Sequence, residues 1–129
     1  MVNDSNKQVV GALGERLGCR YLEKKGYIIR ATNYKNALGR RLGELDIIAE
    51  KNGQIVFVEV KTRLQRGADM ALPEQNITRD KLLKLEKIAS YYLRQEKMER
   101  MPYRFDALAI VVDREAKKAK IRHLESIFL

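Results

Sequence analysis

A chain of 129 residues with 45% hydrophobic and 33% charged side chains is long enough for one core, too short for two and too apolar for disorder. A single cysteine, Cys19, excludes an internal disulfide or a cysteine-rich zinc site, and the one histidine, His123, remote in sequence from the other candidates, argues against Ser-His and Cys-His catalysis. The net charge of +9 suits a polyanionic partner, although many small proteins are basic without one. No apolar run approaches the ~18 residues of a membrane span, and the opening MVNDSNKQ lacks the apolar segment of a secretion signal. A cytoplasmic protein without a membrane partner is expected, with His123 at its surface.

Residues 7–25 read as a helix stopped by Gly26, with Ser5 or Asn6 as its cap. Val10, Leu13, Leu17 and Tyr21 make one apolar stripe. Glu15 lies opposite, among Gly11, Ala12, Gly18, Cys19 and Leu22. That small-residue face can approach another element closely and carry Glu15 with it; a solvated helix glutamate is the simpler reading. Residues 27–31 (YIIRA) follow as a short strand, and residues 33–42 as a loop ending in Gly39-Arg40-Arg41. The loop would bring Arg40 and Arg41 to the strand that follows, where they could meet phosphates.

The stretch GELDIIAEKNGQIVFVEVKTR, residues 43–63, carries the strongest signal. Asn52-Gly53 predicts a two-residue hairpin turn. Lys51 then opposes Gln54, Asp46 opposes Glu59, and Glu44 opposes Lys61. With a side-chain period of two, these four charged residues leave one face. Opposed Cβ atoms lie about 4.5–5.5 Å apart, and like charges so placed repel. A solvated sheet face with a Glu44–Lys61 ion pair is the plain reading. Against it, Ile48 and Phe57 continue the same face, and Leu45, Ile47, Ala49, Val56, Val58 and Val60 make the other apolar throughout. The hairpin is therefore expected to be covered on both sides, and carboxylates entering a covered face need a metal, a cation or a proton.

Residues 64–77 (LQRGADMALPEQNI) lack periodicity and are long enough to be functional. Thr78 reads as the cap of a helix over residues 79–96, with Leu82, Leu85, Ile88, Ala89, Tyr92 and Leu93 on one apolar face and Lys81, Lys84 and Lys87 on its flank. The pair Tyr91-Tyr92 reads as packing rather than base stacking. Residues 104–112 predict a buried strand, parallel to the second hairpin strand across the helix. Residues 119–124 predict a last strand, and residues 125–129 a short docking tail. Asp106 reads as a structural, hydrogen-bonding aspartate.

GELDIIA followed by FVEVKTR resembles the YraN family of predicted endonucleases, in the PD-(D/E)xK superfamily of restriction-endonuclease-like folds. The resemblance extends to Gly14-Glu15, to Asn33-Tyr34-Lys35, to RFDALAI at residues 104–110 and to the closing IRHLESIF. It implies an α/β fold of order αβββαβ, a mixed central sheet with helices on both faces, similar to archaeal Holliday-junction resolvases. It also implies Asp46, Glu59 and Lys61 as the catalytic D…ExK motif, with Glu15 as the acidic residue of the first helix. Leu45 stands where the superfamily's name has proline.

The activity this implies is hydrolysis of phosphodiester bonds in nucleic acid, DNA foremost, with branched or junction DNA among the candidates. Asp46, Glu59 and the Val60 carbonyl would ligate the metal, completed or supported by Glu15. Without nitrogen or sulfur ligands the ion is expected to be Mg²⁺ or Mn²⁺ rather than Zn²⁺. Lys61 would orient or activate water or neutralise the phosphorane. Lys35, Arg40, Arg41 and Arg63 would contact the nucleic acid. Two other readings stay open: a catalytically inactive nucleic-acid-binding protein on the nuclease fold, and a metal-independent module that binds a protein. A two-fold junction cutter would be a homodimer, and no unambiguous interface stripe marks one.

Overall fold

The computed structural model describes residues 4–35, 43–65 and 79–127. Arg40, Arg41, Thr78 and most of the stretch 64–77 lie outside the described residues.

Helix α1 runs Asp4–Lys24. It starts before residue 7, so Ser5 and Asn6 lie inside it rather than capping it. Its C-terminal stop is as expected. Gly26 takes a φ of +93°, its N–H donates to the Glu23 carbonyl, and the Tyr27 N–H donates to the Leu22 carbonyl at 2.9 Å, the pair of bonds that closes a helix over a left-handed residue. Strand β1 spans Ile28–Lys35. Residues 33–35 were expected in the loop but are strand, pairing through Tyr34 with Leu45 and through Lys35 with Glu44. Asn33 bends the strand with a φ of +52°, which asparagine tolerates better than most residues.

Strands β2 (Glu44–Lys51) and β3 (Gln54–Leu64) form the predicted hairpin. Asn52 and Gly53 both have positive φ, 52° and 76°, as a tight turn matching the strand twist requires. Helix α2 (Arg79–Gln95) leads to β4 (Tyr103–Asp113), which pairs parallel to β3; β5 (Lys118–Leu124) returns antiparallel. The five-stranded mixed sheet has the order β1-β2-β3-β4-β5. The tail docks as expected, the Ile127 N–H donating to the Phe105 carbonyl at 2.8 Å.

Each sheet face buries its own core. On one side Ile48, Ile55, Phe57 and Phe105 pack against Leu85, Ile88, Ala89, Tyr92 and Leu93 of α2. Tyr92 meets Phe57 and Tyr34 edge-on, as a packing residue. On the other, Ile47, Ala49, Val56, Val58, Leu108 and Ile110 pack with Leu22 of α1. The expected Val10–Leu13–Leu17–Tyr21 stripe holds in part: Val10 is buried, as are Gly14, Gly18 and Leu22, while Leu13, Leu17 and Tyr21 are half-buried flanks packed against the core. A Cβ on Gly14 would overlap the Thr62 side chain, and one on Gly18 would crowd Leu108 and Ile47. The missing side chains let α1 lie directly on β3, and Glu15 comes with it.

His123 is not a surface residue. Its ring bonds the Asp106 carboxylate through Nε2 at 2.7 Å and the Tyr21 hydroxyl through Nδ1 at 3.2 Å. Asp106, wholly buried, also accepts from Arg104 Nε at 3.0 Å and from the Ser126 N–H at 2.9 Å. The alternation of β5 directs His123 inward, which a lone polar residue in a basic strand does not reveal. Burial pushes the Asp106 carboxyl up, but the hydrogen bonds from His123, Arg104 and Ser126 outweigh it and hold the group below its ordinary 3.8. Asp106 is the structural aspartate expected, and it ties β4, β5, α1 and the tail together. Among the described residues no helix is long and apolar enough to cross a membrane.

The glycine spacing yields a paired test. Gly14→Ala should destabilise the protein by about 1–3 kcal/mol, the range for overpacking. Gly11→Ala, which meets nothing within 4 Å, should be neutral or stabilising by up to about 1 kcal/mol. Urea midpoints decide it; equal shifts for the two would contradict the close approach.

Candidate active site

The β2–β3 ladder holds the expected register from Lys51–Gln54 to Ile47–Val58 and stops there. Asp46–Glu59 and Glu44–Lys61 are therefore not ladder pairs. Continuing the register would have the Val60 N–H donate to the Leu45 carbonyl, because antiparallel hydrogen-bonded pairs alternate along the strands. Instead it donates to Asp46 Oδ2 at 2.8 Å. The carboxylate takes the place of a backbone carbonyl, and β2 parts from β3 at this point. The fork accounts for Leu45, which was expected on the same face as Ile47 and Ala49 and instead joins the α2 core.

Two consequences follow for chemistry. The N–H and C=O of one strand residue leave by the same edge, so the Val60 carbonyl is directed toward Asp46 beyond the last ladder pair. The Asp46 carboxylate, bonded in the plane of the sheet, senses charge from both faces. Its pKa is raised from 3.8 to about 7, first by burial, then by Glu59, with smaller contributions from Glu15 and Glu44; the Val60 hydrogen bond opposes these.

Glu59 is buried. Its Oε1 accepts from Lys81 Nζ of α2 at 2.6 Å and lies 3.7 Å from Lys61 Nζ. Burial and the neighbouring Lys81 lower the Lys61 pKa, with Glu59 and Asp46 opposing. For Lys81, burial lowers the pKa, but the Glu59 hydrogen bond and charge outweigh it and raise the group. Lys81 was read only as part of the flank of the helix, not as a site residue. The available signal was charge balance, since two carboxylates in a covered face need more than Lys61 alone. Asp46, Glu59, Val60, Lys61 and Lys81 thus meet at the fork, and Glu15 reaches it through its charge on Asp46. Of the remaining candidates, Lys35 is exposed at the end of β1, and Arg63 follows Lys61 on the same face of β3.

Among the described residues, the one group of three His, Cys, Asp or Glu donors within 4.8 Å of one another lies elsewhere, at Asp106, His123 and Glu125. Arg104 sits across it, 3.0 Å from Asp106 and 3.5 Å from Glu125. The guanidinium already supplies the positive charge a metal would bring.

A five-stranded mixed sheet with a helix on each face and an acidic fork with lysines at its centre is a restriction-endonuclease-like α/β core. Known proteins share this sequence along most of its length. The profile of the uncharacterised protein family UPF0102 matches residues 14–110, a span that includes Glu15, Asp46, Glu59 and Lys61; the chain belongs to that family. A UPF0102 protein of Alkaliphilus metalliredigens is 40% identical over 119 residues, covering 92% of this chain and 96% of the relative. One from Dictyoglomus thermophilum is 36% identical over 123 residues, covering 95% and 99%. The resemblance found in the sequence is borne out as membership of this family; neither relative's name states an activity.

The raised Asp46 pKa has a signed consequence. Between pH 4 and 7, roughly, the folded chain retains a proton that the unfolded chain has released, so metal-free stability should fall as pH rises through that window. Asp106, with its lowered pKa, acts below the window and in the opposite sense. Asp46→Asn keeps an oxygen for the Val60 N–H and removes the charge. It should flatten the decline and leave the metal-free protein a few kcal/mol more stable at neutral pH, at about 1.4 kcal/mol per pKa unit. Chemical denaturation in chelator at several pH values reads this directly. A mutant that declines as steeply as wild type would refute the assignment.

Proposed function

We propose that this protein is a divalent-cation-dependent nuclease that hydrolyses phosphodiester bonds in DNA, with branched or junction DNA among the candidate substrate forms. The observation that carries the reading is the fork. Asp46 is bound to the Val60 N–H, burial and then Glu59 raise its pKa, and the Val60 carbonyl leaves β3 by the same edge as its N–H. These donors fit a hard cation, being all oxygen, and the positive charge of Mg²⁺ or Mn²⁺ would relieve the repulsion that lifts Asp46. Asp46, Glu59 and the Val60 carbonyl would hold the ion, and Glu15 would support it. When bound, it would supply Lewis-acid activation of water and neutralise charge on the phosphate.

The chain's own groups do the remaining work. Lys61 Nζ, half-buried and 3.7 Å from Glu59, donates to a non-bridging phosphate oxygen and stabilises the charge that gathers there. In the alternative role, its lowered pKa leaves more of Lys61 as the neutral amine than in an exposed lysine, the form that can take a proton from the attacking water. Lys81 holds Glu59 in place from α2. The two apolar cores beside the fork keep water from screening these charges. Lys35 and Arg63, with Arg40 and Arg41 outside the described residues, would contact the sugar–phosphate backbone.

One observation favours a second reading. Lys81 and Lys61 already give Glu59 cationic neighbours without a metal, which suits an inactive nucleic-acid-binding protein on the same fold. A panel of labelled DNA and RNA structures incubated with Mg²⁺ or Mn²⁺ separates the two. Glu59→Gln and Lys61→Ala should each lower cleavage by about 100-fold or more and leave binding within a few-fold, because phosphate contacts elsewhere carry most of the affinity. Binding that falls in step with cleavage would count against the catalytic roles.

A further inference from the structure

Glu59 shares one oxygen between two ammonium groups. Lys81 Nζ donates to its Oε1 at 2.6 Å, and Lys61 Nζ lies 3.7 Å from the same atom. The two lysines are held differently. Lys61 stands two residues along β3 on the same face, so the strand fixes it. Lys81 comes from the first turn of α2, where the helix dipole disfavours a cation. That helix is anchored a turn later by Leu85, buried in the same core as Phe57, while the Lys81 side chain is 36% exposed. A flexible aliphatic stem thus runs from a fixed backbone to a buried carboxylate, with solvent beside it. The Arg104–Asp106 pair shows the contrast. There a planar guanidinium spans both carboxylate oxygens, Nε to Oδ1 at 3.0 Å and Nη2 to Oδ2 at 3.1 Å, and His123 and the Ser126 amide complete the set. That pair is built to stay. The Lys81 contact, from a mobile ammonium to one oxygen, is built to exchange.

We infer that Lys81 is a built-in competitor at the fork, an ammonium group that occupies Glu59 until a divalent cation displaces it. The inference rests on the reading of the fork as a cation site. An ion ligated by Asp46 and Glu59 would sit against the same carboxylate as this ammonium group, and the two like charges repel where burial leaves them poorly screened. Full ligation by Glu59 therefore requires Lys81 to swing out, which its exposed stem allows. Lys81 is a positioning residue that acts through Glu59. It keeps a buried carboxylate compensated while no metal is bound, and it lowers the affinity for the metal by the same contact. Two cations on Glu59 are then no mark of an inactive protein, because one of them is exchangeable.

The test uses the full-length protein and no nucleic acid. Mn²⁺ is titrated in at neutral pH and fixed ionic strength, and electron paramagnetic resonance counts the free ion. Lys81→Met keeps the stem and removes the charge. Lys84→Met removes the same charge from an exposed position of α2 and is the control. Lys81→Met should bind Mn²⁺ about tenfold or more tightly than wild type, Lys84→Met within about twofold of it, and Lys81→Arg no more tightly than wild type. Adding Asp46→Asn to Lys81→Met should abolish the gain. A residue that only held Glu59 in place would act with the opposite sign. Affinity unchanged or weakened in Lys81→Met therefore overturns the inference, as does an equal gain in Lys84→Met. Either result leaves the cation site standing where Asp46→Asn still abolishes wild-type binding; no binding by wild type or by Lys81→Met removes both. Should Lys81→Met not fold, wild type alone decides. Its Lys81 ammonium signal in nuclear magnetic resonance should shift and exchange faster as Mg²⁺ is added, and a signal unmoved while the Asp46 amide responds would overturn the displacement.

Discussion

A single hydrogen bond organises the centre of this molecule, the one the Val60 N–H donates to Asp46 rather than to a backbone carbonyl. A strand pair normally exchanges backbone bonds until one strand ends. Here the exchange stops after Ile47–Val58 while both strands continue. The side chain satisfies the amide, the Val60 carbonyl is turned toward the gap, and Leu45 moves to the α2 core. Both faces beside the fork are covered, so the bond to Asp46 is what keeps the Val60 N–H from being left unpaired. Gly14 and Gly18 bring α1 down on one side, and Phe57 and Tyr92 close the other. The same burial lifts the Asp46 pKa to about 7, so the feature that opens the site also makes it electrostatically strained.

Asp46 and Asp106 show how neighbours decide the role of a buried carboxylate. Asp106 receives Arg104, His123 and a backbone amide, is held ionised, and serves as a latch for the C-terminal strand and tail. Removing such a carboxylate while its partners stay would cost about 3–5 kcal/mol. Asp46 receives one amide and faces other acids. Stability alone gives no reason to keep that arrangement, and a cation-binding role does.

Most of the fold was legible because its signals are local. Asn52-Gly53 set the hairpin turn and its register, Gly26 set the end of α1, and the apolar run of β4 marked a buried strand. Glu15 was legible through the glycines around it, which allow close approach. What escaped depends on tertiary partners. The fork at Asp46 is a competition between a side chain and a backbone acceptor that alternation does not record. Lys81 entered the site because α2 faces the same side of β3 as Glu59, a relation set by the parallel crossover. His123 turned inward because of a partner, Asp106, on the neighbouring strand. Strand β1 ran past its expected end because β2 offered it pairing through Glu44.

The central claim is that the fork holds a divalent cation, and its most direct test needs no substrate. Mn²⁺ broadens the nuclear magnetic resonance signals of nearby groups, so titrating it into labelled protein maps where it binds. The account predicts that the amide signals of Asp46, Glu59, Val60 and Lys61 are lost first, and that Asp46→Asn abolishes this selectivity. Broadening centred on Asp106, His123 and Glu125, or broadening at the fork unchanged by Asp46→Asn, would contradict it.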